Sequence, residues 1–355
     1  SLDNSFGAGG KVRTNLSPDN DNGNSMAILE DGTILLAGTG SFKFALVRYT
    51  SGGSLDNTFG TGGITLADIG PAEDQAYTMA VQEDGKIVLA GSSFIFNGVA
   101  NTRDFSVARF NSDGSVDNTF GTGGKVITPI GTSDDIAYSV TIQADGKIIV
   151  AGESRAPSPS FTQAFALARY NSNGSLDNTF GTGGILVMPL TIRYNRADAV
   201  VLQSDGQILV AGTTSVHDDT LAFSVARLND NGSFDNTFGT NGVVFTTFTS
   251  THNLCFGMAL QSDGKIILSG RMHAGFSPNY FDFAVSRYNP NGTLDNTFGT
   301  GGKVTTHMGW PEDTGYAIAI QTDGKIVVAG AGVNGGVDSD FAIARYNGDG
   351  TVDAF

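Results

Sequence analysis

The chain has 355 residues, 40% apolar and only 15% charged, with 49 glycines and a formal net charge of 20 − 35 = −15. That apolar content supplies a sizeable core and excludes wholesale disorder. No apolar run reaches the ~18 residues of a membrane-spanning helix, and so much glycine excludes a helical bundle, since glycine costs about 1 kcal/mol per helix-interior position. A uniformly acidic chain repels phosphate backbones, so nucleic acid is not an expected partner.

The chain opens at Ser1 on Ser-Leu-Asp-Asn-Ser-Phe-Gly, and variants return at Ser54, Ser115, Ser175, Ser233 and Thr293, with a stub at Thr351. Between them runs a second phrase, Gln-x-Asp-Gly-Lys-Ile-x-x-Ala-Gly, at Gln82–Gly91, Gln143–Gly152, Gln203–Gly212, Gln261–Gly270 and Gln321–Gly330, with Leu29–Gly38 as a copy lacking the Gln. A third, Asp104-Phe-Ser-Val-Ala-Arg-Phe-Asn111, recurs at 43–50, 164–171, 222–229, 282–289 and 340–347. Six copies fill residues 1–355, read as a single domain whose repeat phases start near 1, 54, 115, 175, 233 and 293.

Each unit holds four short runs rich in Val, Ile, Phe and Tyr, bounded by Gly, Asn and Asp. In the third unit they are Tyr138–Gln143, Lys147–Glu153, Phe165–Asn171 and Gly184–Leu190. The first two runs meet at Asp-Gly, which predicts a type I′ hairpin with positive φ at both central residues. Four antiparallel strands per repeat of this length is the pattern of a β-propeller, predicted here as all-β and six-bladed. The chain begins with a fourth-type strand, Gly10–Leu16, and ends after a third-type strand. The expectation is that the ring closes by that N-terminal strand joining the last blade, which removes an exposed edge.

Asp-Phe-Ala-x-Ala-Arg-Tyr-Asn, the Gln-x-Asp-Gly phrase and Gly-Ser-Leu-Asp-Asn-Thr-Phe-Gly-Thr-Gly-Gly-Lys-Val together resemble the bacterial delta-60 repeat family. The resemblance spans the whole chain. It implies a propeller module of large exported or surface bacterial proteins and assigns no catalytic residue. Unit one departs from the pattern at Leu29 and Thr33, and unit four at Gln207. A single cysteine, Cys255, permits no internal disulfide and is read as a buried, inert thiol. The absence of an initiating Met or apolar leader leads to the expectation of a processed, extracellular or cell-surface protein, and of a monomer.

In such a blade the first–second and third–fourth turns share one face, and the second–third and fourth–first loops share the other. The first set is nearly invariant between repeats, whereas the second differs in every unit. Binding residues are therefore expected on the variable face. The ligand candidates there are Phe94, Phe96, Arg193, Tyr194, Arg196, Phe276, Tyr280, Trp310 and Glu312, aromatics and polar groups suited to a glycan or protein partner. Eight residues before each Gln slot stand Asp21, Asp74, Asp135, Asn195, Asn253 and Asp313, a candidate oxygen-rich ring for Ca²⁺ or starters of Asx turns. His252, His273 and His307 form a separate candidate metal set, with His217 on the neighbouring unit. The repeated Arg48, Arg109, Arg169, Arg227, Arg287 and Arg345 are read as structural, satisfying carboxylates or turn carbonyls.

No His-Glu-x-x-His, Cys-x-x-Cys or Gly-x-Ser-x-Gly motif is present. The leading reading is a non-catalytic binding module. The alternatives are a metal-assisted lyase or hydrolase acting on a carbohydrate or lactone, and an inert architectural spacer.

Overall fold

The computed structural model describes the whole chain except residues 1, 19, 97–100, 157–161, 192, 218–219, 250, 276–279, 310, 335–337 and 354–355. The described residues form strands and turns and no helix. The first sheet is β1 (Asn22–Ile28), β2 (Ile34–Gly40), β3 (Lys43–Tyr49) and β4 (Ile64–Ala67). The second is β5 (Asp74–Val81), β6 (Ile87–Phe96), β7 (Asn101–Phe110) and β8 (Lys125–Thr128). The third is β9 (Asp135–Ile142), β10 (Ile148–Arg155), β11 (Gln163–Tyr170) and β12 (Ile185–Met188). The fourth is β13 (Asn195–Leu202), β14 (Ile208–His217), β15 (Thr220–Leu228) and β16 (Val243–Thr246). In the fifth, β17 (Asn253–Leu260), β18 (Ile266–His273), β19 (Phe281–Tyr288) and β20 (Lys303–Thr306) pair in order. The sixth is β21 (Glu312–Ile320), β22 (Ile326–Asn334) and β23 (Asp338–Tyr346), joined to the fifth by one parallel bridge, Phe281 to Glu312.

The chain divides into two compact units, Ser1–Phe161 with Ala166–Ile185, and Thr162–Phe165 with Leu186–Phe355. In the first unit, Leu35, Phe44, Leu46, Phe59, Leu89 and Phe110 pack between the first and second sheets. Val88, Phe105, Phe120, Val150 and Tyr170 pack between the second and third. In the second unit, Leu209, Phe223, Phe238, Leu268 and Tyr288 fill the space between the fourth and fifth sheets, and Phe283, Val285, Phe298, Val328 and Tyr346 that between the fifth and sixth.

The Asp-Gly turns depart from the type I′ expectation. Only their glycine has positive φ (Gly85 81°, Gly146 81°, Gly264 81°). The Gln82 N–H donates to the Lys86 carbonyl and the Gly85 N–H to the Gln82 carbonyl. This is a three-residue loop with a left-handed glycine. The aspartate works through its side chain instead: Asp84 Oδ1 accepts the Lys86 N–H at 3.1 Å, an Asx turn that propensity for Asp-Gly alone does not distinguish.

Every first strand also carries a one-residue register slip, at Ala76/Thr78, Ala137/Ser139, Cys255/Gly257 and Gly315/Ala317 among others. The slip brings backbone against backbone: a Cβ at Gly91 would lie 1.9 Å from the Gln75 carbonyl oxygen. That close approach explains the Ala-Gly ending of the repeated phrase. The bulged residues are aromatic in several sheets, and they meet as pairs: Tyr77 with Tyr138 and Phe256 with Tyr316, each with ring centres 5.3 Å apart.

The repeated arginine clamps the turn face. Arg109 Nε donates to Asp117 at 2.8 Å, Nη1 to the Ser172 carbonyl of the following sheet at 2.6 Å, and Nη2 to Thr119, and its guanidinium lies 4.8 Å from the Phe120 ring centre. Arg287 repeats this with Asp295, the Gly348 carbonyl, Thr297 and Phe298. One residue type thus fixes the third–fourth link and docks the next sheet, which uses the full planar fork of donors.

The first and sixth sheets differ from the other four. Residues 10–16 form no strand, only a bridge between Gly7 and Lys11. Among the described residues β23 has no fourth-strand partner, and its Phe341 is 104% exposed where the equivalent Phe283 is 0% exposed. On β1, Met26 and Ile28 are likewise exposed.

Candidate functional site

The Asx position eight residues before each Gln slot lies at or within one residue of the start of every first strand, and its side chain turns back on its own loop. Asp74 accepts the N–H groups of Ile69 and Gly70, Asp135 those of Ile130 and Gly131, and Asp21 that of Leu16. Asn253 Oδ1 accepts from Phe248 and Thr249 while its amide donates to the Leu221 carbonyl, and Asn195 makes the same pattern with Thr191 and Gln163. Asp74, Asp135, Asn195, Asn253 and Asp313 are fully buried. Each is a staple of the fourth–first loop.

At the fifth and sixth sheets this staple acquires neighbours. Antiparallel pairing of Phe283 with Thr306 sets Asp282, at the start of β19, across from His307, just past the end of β20. The Met308 N–H donates to Asp313 Oδ2 at 2.7 Å and so folds the loop back over the start of β21. His307 Nδ1 then lies 3.0 Å from Asp282 Oδ1 and 3.5 Å from Asp313 Oδ2. One donor atom from each of the three residues falls within 4.8 Å of the others. Among the described residues this is the one group of three or more His, Cys, Asp and Glu side chains so disposed. Burial is graded: Asp313 is buried, Asp282 half-buried and His307 exposed. The Tyr280 ring stacks on the imidazole at 5.9 Å with 20° between planes, which limits its rotation. Two carboxylates and one imidazole, open on one side, make a mixed oxygen and nitrogen donor set suited to a divalent transition metal.

Sequence reasoning had His307 and Asp313 in two different candidate sets and missed Asp282. The signal was present in the repeat alignment: the Asp282 slot holds Lys43, Asp104, Ala164, Ala222 and Asp340 in the other units. Only tertiary structure shows that this slot faces the next unit's staple. The second and third sheets bring Asp104 beside Asp135 in the same way, but Pro129 stands where His307 does, so no nitrogen donor is supplied. There the Asp104 carboxyl is pushed up to about 6, by burial first and then by the charges of Asp135 and Asp134.

The remaining candidates are scattered. His252 and His273 lie edge to face with ring centres 6.5 Å apart, and His273 meets Phe281. Phe94 lies under Arg103, which pairs with Glu73, while Phe96 is exposed. Arg196 pairs with Asp198 at 2.6 Å. The backbone carbonyls of Arg193 and Tyr194 accept from Gln163 and Ser215. Glu312 is half-buried beside Phe281. Trp310 and Phe276 lie outside the described residues. His217 ends β14, opposite Thr220. Cys255 is buried, and burial raises its thiol pKa well above the ordinary value, leaving no thiolate for chemistry.

Comparison with solved structures finds the fold widely. The chain is similar to virginiamycin B lyase from Staphylococcus aureus, at 12% identity and a TM-score of 0.54, with 96% of this chain and 86% of that one covered. A protein of unknown function from Dyadobacter fermentans gives 14% identity and a TM-score of 0.53, covering 90% and 93%. A glucose dehydrogenase gives 12% identity and a TM-score of 0.50, covering 89% and 95%. At such identities the likeness is one of fold. No curated protein matches the sequence. A family model described as a domain of unknown function (DUF5122) beta-propeller matches six times, at residues 29–59, 82–120, 143–180, 203–238, 261–298 and 321–355. The chain belongs to the DUF5122 β-propeller family.

Proposed function

We propose that the protein is a ligand-binding module whose working surface is the loop face of the fifth and sixth sheets, centred on a divalent metal held by Asp282, His307 and Asp313. The carrying observation is the convergence of three donors, of which Asp282 and Asp313 lie 3.0 and 3.5 Å from the imidazole nitrogen. Three protein donors leave a coordination position for a ligand oxygen, and the Met308 N–H on Asp313 acts as an outer-shell partner. An imidazole in the set favours Zn²⁺ or Mn²⁺ over Ca²⁺, which prefers all-oxygen coordination. A glycan or a protein side chain would supply the open position. Calorimetric titration with Zn²⁺, Mn²⁺ and Ca²⁺ tests this: one site for Zn²⁺ or Mn²⁺, lost in His307→Ala, is expected, and equal binding by that variant would refute it.

A second reading, a metal-assisted lyase or hydrolase on a carbohydrate or lactone, is favoured by one feature. Both carboxylates engage His307 at Nδ1, which orients an exposed imidazole as a base would be oriented. A histidine-to-alanine variant of the S. aureus virginiamycin B lyase, with quinupristin, is described as catalytically inactive. Turnover of a lactone panel that is abolished in His307→Ala would favour this reading. Absence of metal, glycan and lactone activity together would leave an architectural spacer.

The propeller is proposed to be closed, monomeric and of the delta-60 kind, in an exported or surface protein. Residues 7–16 support closure, because they contact the first sheet as a fourth-strand link contacts its neighbour. The Gly7 N–H donates to the Gly52 carbonyl as Gly121 does to Asn173, and Tyr49 Oη donates to Thr14 as Tyr170 does to Thr128. A strand at 11–14 would cover Phe341. By analogy with Ala284 opposite Thr305, an Arg13→Cys/Ala342→Cys pair should crosslink within one chain; crosslinking between chains instead would indicate head-to-tail assembly.

A further inference from the structure

Arg271, in β18, occupies a slot that holds Thr39, Ser92, Glu153, Thr213 and Ala331 in the other units. Strand alternation puts it on the same side as Phe281, and its guanidinium carbon lies 4.1 Å from that ring's centre. Its Nη1 makes only a long contact, 3.4 Å, with Thr314 Oγ1, and its Nε is buried without a hydrogen-bond partner. The six clamp arginines each hold an aspartate at 2.6–2.9 Å. Among the described residues no carboxylate forms an ion pair with Arg271. A half-buried guanidinium with unmet donors is costly, and an incoming acceptor relieves that cost.

The surroundings narrow the acceptor. Phe281 and Thr314, the residues Arg271 touches, are the chain neighbours of Asp282 and Asp313, and Glu312 and Tyr316 are close enough to act on it electrostatically. One cation among these acids, in a chain of net charge −15, disfavours a dianion such as phosphate. A planar monoanion matches the guanidinium fork in charge and shape. Tyr316, on the same strand as the Thr314 that Arg271 contacts, is exposed and leans on Phe256, offering a flat apolar surface.

We propose that Arg271 anchors the carboxylate of a flat monocarboxylate ligand, an acidic sugar or an aromatic acid, whose ring rests on Tyr316. This deepens the binding reading by naming the ligand's charge, yet it stands on a residue outside the metal set. The test uses the whole chain in chelator-containing buffer. Galacturonate, benzoate, galactose and inorganic phosphate are titrated by ligand-observed NMR into the native protein and into Arg271→Lys and Arg271→Met.

At least one carboxylate is expected to bind the native protein in chelator and to weaken at least 10-fold in both Arg271 variants, with galactose and phosphate silent. Galacturonate binding alone would indicate the sugar source and benzoate alone the aromatic one. No carboxylate binding, undiminished binding in Arg271→Lys and Arg271→Met, or phosphate binding above both carboxylates would overturn the proposal. Failure of the metal site is read separately, from the Zn²⁺ titration of the native protein.

Discussion

The turn face and the loop face of the same sheets use charge in opposite ways. On the turn face Arg287 and Asp295 satisfy each other at 2.8 Å, both nearly excluded from solvent, and the arrangement recurs from unit to unit. On the loop face Arg271 has no carboxylate partner among the described residues, and Asp282, His307 and Asp313 crowd together with one side open. The first arrangement is complete without a ligand. The second gathers like charges and unmet donors, which binding would stabilise. Repetition marks what holds the fold; departure from repetition, as at Arg271 and His307, marks what the fold presents.

The largest effect should come from breaking the turn face. Arg287→Ala leaves buried Asp295 with only the longer Lys265 contact, 3.4 Å, as a cationic partner and is expected to cost about 3–5 kcal/mol, read by chemical denaturation, with metal affinity per folded molecule unchanged. A loss below about 1 kcal/mol would mean the clamp is not structural. Acid should act on the same face. Asp235 is held down to about 2 by the Thr237 hydroxyl, against burial, then by the Thr237 N–H and the Arg227 charge. Asp177 and Asp295 also fall to about 2, their bonds to Thr179 and Thr297 and their arginine partners outweighing a larger burial penalty. A depressed carboxylate contributes stability fully above the ordinary carboxylate range and loses it as pH falls toward 2. Denaturation midpoints should therefore drop between about pH 4 and pH 2, and a flat profile would contradict the pairing.

On the loop face the sign reverses. Asp104, raised to about 6, favours the fold when protonated, and that contribution is lost as pH rises from the ordinary carboxylate range through 6. Asp104→Asn should stabilise the protein at pH 8 by about 1–3 kcal/mol and leave it unchanged near pH 4. Destabilisation at pH 8 would show that Asp104 makes a bond the pair needs. The smallest effect sharpens the contrast between the two carboxylate pairs. Pro129→His places an imidazole beside Asp104 and Asp135 and should create weak Zn²⁺ binding where none existed, measured by calorimetry against the native background. Its absence would mean that the Tyr280 stack, and not the donor set alone, makes the site at His307.

Much of the fold was legible because six copies of one pattern report the same environment six times. Val, Ile and Phe alternation, the Ala-Gly ending and the Asp-Gly turn each have one cause repeated. The turn type was misjudged because Asp-Gly serves two hairpin geometries, and only the backbone bonds of Gln82 and Gly85 separate them. The site was half legible. His307 and Asp313 were named from residue type, but Asp282 looked like an ordinary member of its repeat, and nothing in the sequence singled out Arg271.

The sequence by itself determined the strand pattern, the repeat length, the clamp residues and which loops vary, because each follows from local backbone preference and from side chains within about ten residues of one another. Only tertiary structure decided which variable residues meet. Asp282 and Asp313 belong to successive units, and nothing local sets their distance. It is set by strand register between β19 and β20 and by the loop that Asp313 staples. Register is a property of paired strands, so chemistry assembled across two sheets appears only once both have folded.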